Sequence, residues 1–428
     1  MLTLLSGKKK QGFCDNVARR EFLKIGALGI GGLTLADLLR AEAQAGISSS
    51  NKAVINIHLS GGPSHQDMFD LKPDAPVEFR GAFNPIHTNV PGFDICEHFP
   101  ILATMADKFA VIRSLVGSTG QHSNYQTHSG FSQKDLSAVG GRPALGSVVA
   151  KLKGVSESGA PPFISYNGGE PGFLGPVYKP FKPDSKGQRN LMLQRGMTVE
   201  RMSARTSLLS QLDTIRRDLD YSGQMSALDS FTEKAVEVVT SGEVGSALDL
   251  KKEDPKVVER YGKDGKYFLT ARRLVEAGVR AVSFNWGSWD THSGNFTKLS
   301  KQLPKLDIAM SALIQDLHDR GLDQDVAIVM WGEFGRTPRV NKNQGGGRDH
   351  WNKLSTAFLA GGGMRTGQTI GSSTRYAEQA QDRPVDYQEV HATLYRTLGI
   401  DSVSTTIADH NGRPQYLLDH RDPIRELI

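Results

Sequence analysis

Residues 327–351 read AIVMWGEFGRTPRVNKNQGGGRDHW. An unbroken apolar run ending in Trp331 fits a strand buried on both faces. The run stops at Gly332-Glu333-Phe334-Gly335, and a polar, glycine-rich loop carries the chain on to Arg348-Asp349-His350. In an alternating α/β chain, ligands bind just beyond the carboxyl ends of parallel strands. Glu333 falls at such an end, and together with His350 it points to a metal-assisted hydrolase site.

The same rhythm runs outward from this stretch. Residues 53–60 (AVINIHLS) read as the first central strand, followed by a loop with His65 and Asp67. Residues 109–115 (FAVIRSL) read as a second strand, followed by a polar turn over 117–124 that holds Thr119, His122 and Ser123. Further strands are expected at 162–166, 279–286, 326–331 and 354–360, with Asp290 and His292 just after VRAVSFNW. Helices fit 145–152, 267–277, 296–320 and 387–398, and Gly278, Gly321 and Gly399 close three of them. An amphipathic helical block over about 198–275 carries few groups of chemical interest and reads as an insertion. Alternating strands and helices predict an α/β fold with a mostly parallel sheet sandwiched by helices.

The chain is long enough, at 428 residues, to bury a large core. Its net charge of +5 is concentrated at the front, where residues 1–45 hold seven Lys/Arg and four Asp/Glu. That leaves about +2 on the remainder, with no basic run, which argues against a nucleic-acid partner. Arg19-Arg20-Glu21-Phe22-Leu23-Lys24 resembles the twin-arginine export motif, with Ala18 where Ser or Thr is usual. A glycine-rich apolar stretch and Ala43-Gln44-Ala45, a small-residue cleavage site, follow it. Residues 1–45 are therefore expected to be a signal peptide, recognised by the twin-arginine export machinery, that delivers residues 46–428 to the periplasm. The apolar stretch is shorter than the roughly 20 residues of a spanning helix, so no transmembrane anchor is expected after cleavage. Cys14 would leave with the signal, so Cys96 would have no partner for an internal disulfide.

Three strand ends thus present carboxylates and imidazoles: His65 and Asp67, Asp290 and His292, and Glu333, with His350 downstream. In a parallel sheet these ends share one edge, so the groups can converge on a divalent ion. Each has a plainer reading as well. Loop aspartates such as Asp67 and Asp290 often cap turns, and Glu333 could pair with Arg336 or Arg339. Arg336 and Arg348 could grip an anion bidentately. Thr119 or Ser123 could act as a nucleophile beside a helix start, or merely cap it. His58, inside an apolar strand, reads as a packed core histidine. Neither a Walker-type phosphate loop nor a nucleophile elbow is found.

Together, RREFLKIG (19–26), HLSGGPSHQDMFDLKPDAP (58–76), WDTHSGNF (289–296), MWGEFGRTPRVN (330–341), GRDHW (347–351), HATLYRTLGI (391–400) and NGRPQYLL (411–418) resemble the bacterial twin-arginine-exported family called domain of unknown function 1501. That resemblance implies an alkaline phosphatase/sulfatase-like fold and one or two metals, held by Asp67, by Asp290 and His292, and by His350. Glu333-Phe334 stands where the superfamily carries Asp-His, so one ligand is lost unless His65 or His122 replaces it. The nucleophile position falls near Gly120, and no sulfatase-type C/S-x-P-x-R run exists. The leading expectation is a metal-dependent hydrolase of a phosphate or sulfate ester. Asp67, Asp290, His292, Glu333 and His350 would hold Zn²⁺, Mn²⁺ or Ca²⁺, with Arg336 or Arg348 near the anionic ester substrate. The alternative is a catalytically degenerate member that binds or assembles at the cell envelope.

Overall fold

The computed structural model describes residues 52–156, 158–183, 201 and 242–428. The expected signal peptide, and most of the helical insertion expected over 198–275, lie outside the described residues. Eight strands form the central sheet. They are β1 Ala53–His58, β2 Phe109–Val116, β3 Phe163–Ser165, β4 Ala281–Asn285, β5 Val326–Trp331, β6 Ser355–Gly361, β7 Gln368–Ile370 and β8 Val385–Asp386. Across the sheet the order is β7-β2-β6-β5-β1-β4-β3, and β8 also pairs with β2.

β1 runs parallel to both β4 and β5, and β3 runs parallel to β4. On the other side β7 and β8 run parallel to β2. Among the described strands of this sheet only β6 is reversed, antiparallel to β5 and to β2. The mostly parallel sheet expected from the sequence is therefore present, with one reversed strand that periodicity cannot reveal. The edge strands β7 and β8 are too short for any periodic signal.

The central strands are buried on both faces, and their alternation divides the core. Ala53, Ile55 and Ile57 of β1, with Val326, Ile328 and Met330 of β5, face one layer. Helices α3 (Lys266–Glu276) and α4 (Asn295–Asp319) cover it through Phe268, Leu274, Leu299, Leu306 and Leu313. Val54, Ala327, Val329 and Trp331 face the other layer, under α2 (Leu145–Lys153) and α5 (Tyr387–Thr397). A capping box starts α5: Asp386 accepts the amides of Gln388 and Glu389, and Glu389 accepts the Asp386 amide at 3.0 Å. No helix among the described residues is long and apolar enough to cross a membrane.

The direction of each strand decides what the sheet can hold. β1, β2, β4 and β5 end on the same edge, so their following loops meet there. Reversed β6 begins on that edge, so the loop entering it arrives at the same place. Five loops can then contribute side chains to one volume.

Burial gives the fold a definite pH response. His58 and His391 are held down at about 3, and His65 and His128 at about 4, in each case first because burial disfavours the imidazolium. In the unfolded chain each takes a proton near pH 6.5. Between pH 6.5 and 4 the unfolded state therefore binds more protons, and stability falls as pH drops. Asp307, pushed up to about 6 by burial, works in the opposite direction, but it is one group against four. The melting temperature is expected to be level from pH 8 to 7 and to fall steadily from 6.5 to 4. A level profile down to pH 4.5 would contradict the buried neutral histidines.

Candidate metal centre

Four loops build a cluster at the carboxyl edge of the sheet. The turn after β2 supplies His122, the loop after β4 supplies Asp290 and His292, Glu333 follows β5, and His350 precedes β6. Glycines let these loops touch. A Cβ on Gly61, at φ +104°, would lie 2.4 Å from the Asp290 amide nitrogen, and one on Gly347 would lie 2.0 Å from the His292 carbonyl oxygen. Gly335 and Arg336 pair antiparallel with Trp351 and His350, which turns the intervening loop back over the edge.

The three imidazoles share one pattern. His122 Nδ1 lies 3.2 Å from Glu333 Oε1, His292 Nδ1 lies 2.6 Å from Asp349 Oδ1, and His350 Nδ1 lies 3.2 Å from the Gly120 carbonyl oxygen. Those oxygens accept, which favours a proton on each Nδ1, while the Nε2 atoms in turn face the Asp290 carboxylate. The three Nε2 atoms converge on Asp290. Its Oδ1 is 2.9 Å from His292 Nε2 and 3.2 Å from His350 Nε2, and its Oδ2 is 3.5 Å from His122 Nε2. The Nε2 atoms of His292 and His350 are themselves 3.1 Å apart. Ligand atoms from His122, Asp290 and His350 all lie within 4.8 Å of one another. Bonds of about 2.0–2.1 Å to a tetrahedral ion would set ligand atoms roughly 3.3 Å apart, a spacing that Asp290, His292 and His350 approach.

Burial works to raise the Asp290 carboxyl, but the Arg336 hydrogen bond and charge outweigh it, with help from His292, and hold it at about 2. The Asp349 carboxyl is also held low, first by its hydrogen bond from His292. One side of the cluster is open to water: the side chains of His122, His292 and Asp290 are 48%, 43% and 40% exposed. The other side is closed. Phe334 is fully buried, with its ring centroid 4.2 Å from that of His350 and 5.2 Å from that of His122. Phe334 thus packs behind two imidazoles.

Several expected roles change on this geometry. Glu333 is only 2% exposed; its Oε1 accepts the Gly61 amide at 2.8 Å and meets His122, and its Oε2 faces His58 Nε2 at 3.4 Å. It stands behind His122 rather than in the converging set. Asp67 is fully committed elsewhere, accepting from Arg348 at 2.8 Å on each oxygen, from Ser64 Oγ at 2.6 Å and from Asn295 at 2.9 Å. Neither arginine is free to grip an anion. Arg348 spends its donors on Asp67 and on the carbonyls of Thr337, Pro338 and Phe79. Arg336 donates to the carbonyls of Gly61, Gly62 and Arg348 and to Asp290. Both side chains are completely buried.

The candidate nucleophiles lie on the turn that supplies His122. Ser123 Oγ accepts the Tyr125 amide at 3.3 Å, a local turn, and the following helix α1 (Tyr125–Ser129) has five residues, too few for a strong N-terminal dipole. No hydrogen bond joins Thr119 or Ser123 to a cluster side chain among the described residues. Of the two histidines expected as substitute ligands, His122 enters the cluster, whereas His65 is fully buried and among the described residues forms no hydrogen bond or ion pair with it.

These loops carry the motifs of a sequence family, whose model matches residues 51–428 and is described as protein of unknown function (DUF1501). The chain belongs to the DUF1501 family. Among curated proteins no sequence matches it. The PsFucS1 sulfatase from Pseudoalteromonas sp. aligns at 11% identity over 86% of this DUF1501 chain and 70% of its own, with a TM-score of 0.34. Ps i-CgsB in complex with k-i-k-neocarrahexaose aligns at 9% identity over 81% of this chain and 72% of its own, also at 0.34.

Stability separates a strut from an anion-binding arginine. Arg348→Met leaves the Asp67 carboxylate buried and unpaired, an expected cost of about 3–5 kcal/mol in chemical denaturation. Asp67→Asn combined with Arg348→Met is expected to recover much of that loss. An Arg348→Met protein of unchanged stability would mean that Arg348 is available to a ligand after all.

Proposed function

We propose that this protein is a metal-dependent hydrolase of phosphate or sulfate esters, on an alkaline phosphatase/sulfatase-like architecture, exported by the twin-arginine route. One observation carries the metal reading. Three potential ligand atoms, His292 Nε2, His350 Nε2 and Asp290 Oδ1, stand 2.9–3.2 Å apart, and with the ring protons on Nδ1 all three are acceptors. Such a triangle repels itself unless a cation or a shared proton occupies its centre. His122, Asp290, His292 and His350 would hold the ion. A set of three nitrogens and one carboxylate suits Zn²⁺ or Mn²⁺, whereas Ca²⁺ takes six to eight oxygens. Export is supported by Arg19-Arg20-Glu21-Phe22-Leu23-Lys24.

When bound, a divalent ion at this position lowers the pKa of a water and polarises an ester oxygen. The chain's own residues do the rest. Asp290, kept ionised by Arg336, and the three Nε2 lone pairs define the inner face of the centre. Phe334 excludes water from behind, and Glu333 and Asp349 fix two of the rings. The half-exposed edges of His122, His292 and Asp290 leave the front open to an anionic ester. With Thr119 and Ser123 unattached to the cluster and both arginines committed, attack by a water is favoured over a covalent enzyme intermediate.

Purified protein is expected to take up Zn²⁺ or Mn²⁺ in stoichiometric amount and then hydrolyse p-nitrophenyl phosphate or p-nitrophenyl sulfate. Asp290→Ala is expected to abolish both uptake and turnover. Absence of uptake, or uptake unchanged by Asp290→Ala, would sink the reading. Uptake without turnover of any ester would favour the envelope-binding alternative.

A further inference from the structure

We propose that Asp349 is a positioning residue, whose carboxylate keeps the His292 proton on Nδ1 and so turns the Nε2 lone pair into the cluster. The inference rests on the metal reading for its purpose but not for its geometry. An imidazole exposed to water ordinarily keeps its proton on Nε2, and the His292 ring is 43% exposed. Left alone it would also be free to rotate. The 2.6 Å contact from Nδ1 to Asp349 Oδ1 opposes both tendencies, and it is shorter than the 2.9 Å contact from Nε2 to Asp290 Oδ1 that competes for the proton.

Asp349 is itself held for this task. Its backbone is tied to Thr337 in both directions: the Thr337 amide donates to the Asp349 carbonyl at 2.9 Å, and the Asp349 amide donates to Thr337 Oγ1 at 3.0 Å. The Asn341 amide group lies 3.2 Å from each Asp349 carboxylate oxygen and donates to the His292 carbonyl at 3.1 Å. Asn343 donates to the same carbonyl at 2.7 Å. Carboxylate and imidazole backbone are thus gripped by one loop, and their separation is set before any ligand arrives. The Asp349 side chain is half exposed, so replacing it does not open the core.

The test is nitrogen-15 spectroscopy of the histidine side chains in the full protein at pH 8, with and without Zn²⁺, joined to Zn²⁺ titration calorimetry. In the unmodified protein His292 is expected to carry a proton on Nδ1 in both conditions. Asp349→Ala is expected to shift metal-free His292 to the Nε2-protonated form and to weaken Zn²⁺ binding roughly 10- to 100-fold at unchanged melting temperature. Asp349→Asn keeps an acceptor oxygen and is expected to restore the tautomer and most of the affinity. A bare Nδ1 in the unmodified protein would overturn the proposal. So would an Asp349→Ala protein with unaltered tautomer and affinity. A protonated Nδ1 lost in Asp349→Ala, in a protein that takes up no Zn²⁺, would leave the positioning role standing and defeat the metal reading instead.

Discussion

The buried guanidinium of Arg336 ties together the loops on which the whole centre is built. It donates to the carbonyls of Gly61 and Gly62 after β1, to Asp290 after β4, and to the Arg348 carbonyl in the loop entering β6. Arg336 itself follows β5, so one side chain fixes four chain segments against one another. Hydrogen bonds from a charged group contribute about 1.5–3 kcal/mol each, which outweighs the entropy of holding short loops still. Burial pulls the guanidinium pKa down, and Asp290 acts in the other direction. The same contact keeps Asp290 ionised, so the strut of the fold also sets the charge of the centre.

Around that strut the molecule separates support from function by burial. Arg348 and Asp67 form a fully buried pair, and Glu333 and Phe334 form the wall behind the imidazoles. His122, Asp290, His292 and His350 stand at the surface of this wall, with the imidazole Nε2 atoms gathered round the Asp290 carboxylate. Such a division is what a preorganised centre needs, because ligand atoms hold their places only when their neighbours cannot move.

Much of this was legible in the sequence, and the boundary of legibility has a physical cause. β5 could be read to the residue because a run of apolar residues between Asp325 and Gly332 has no other comfortable home. That Asp290, His292 and His350 meet follows from strand ends sharing an edge, a property of topology that periodicity reveals. Partner choice is another matter. The donors that occupy Asp67 come from Arg348 and Asn295, hundreds of positions away, and no local pattern tells a carboxylate bound by arginine from one open to metal. For the same reason Arg336 and Arg348 read as anion grips when they are struts. His122 reads in the sequence only as one of two possible replacement ligands, although the turn after β2 is a strand end like the others. The direction of β6, which brings His350 to the site, leaves no mark on its own residues.

The most direct measurement of the central claim is an anomalous diffraction map from crystals of the protein grown with Zn²⁺ and collected at the zinc edge. The expected result is a peak bounded by His122, Asp290, His292 and His350, at about 2.0–2.2 Å from the imidazole Nε2 atoms and an Asp290 oxygen. A map with no peak there, or with its strongest peak beside Asp67 instead, would contradict a metal centre built on converging imidazole lone pairs.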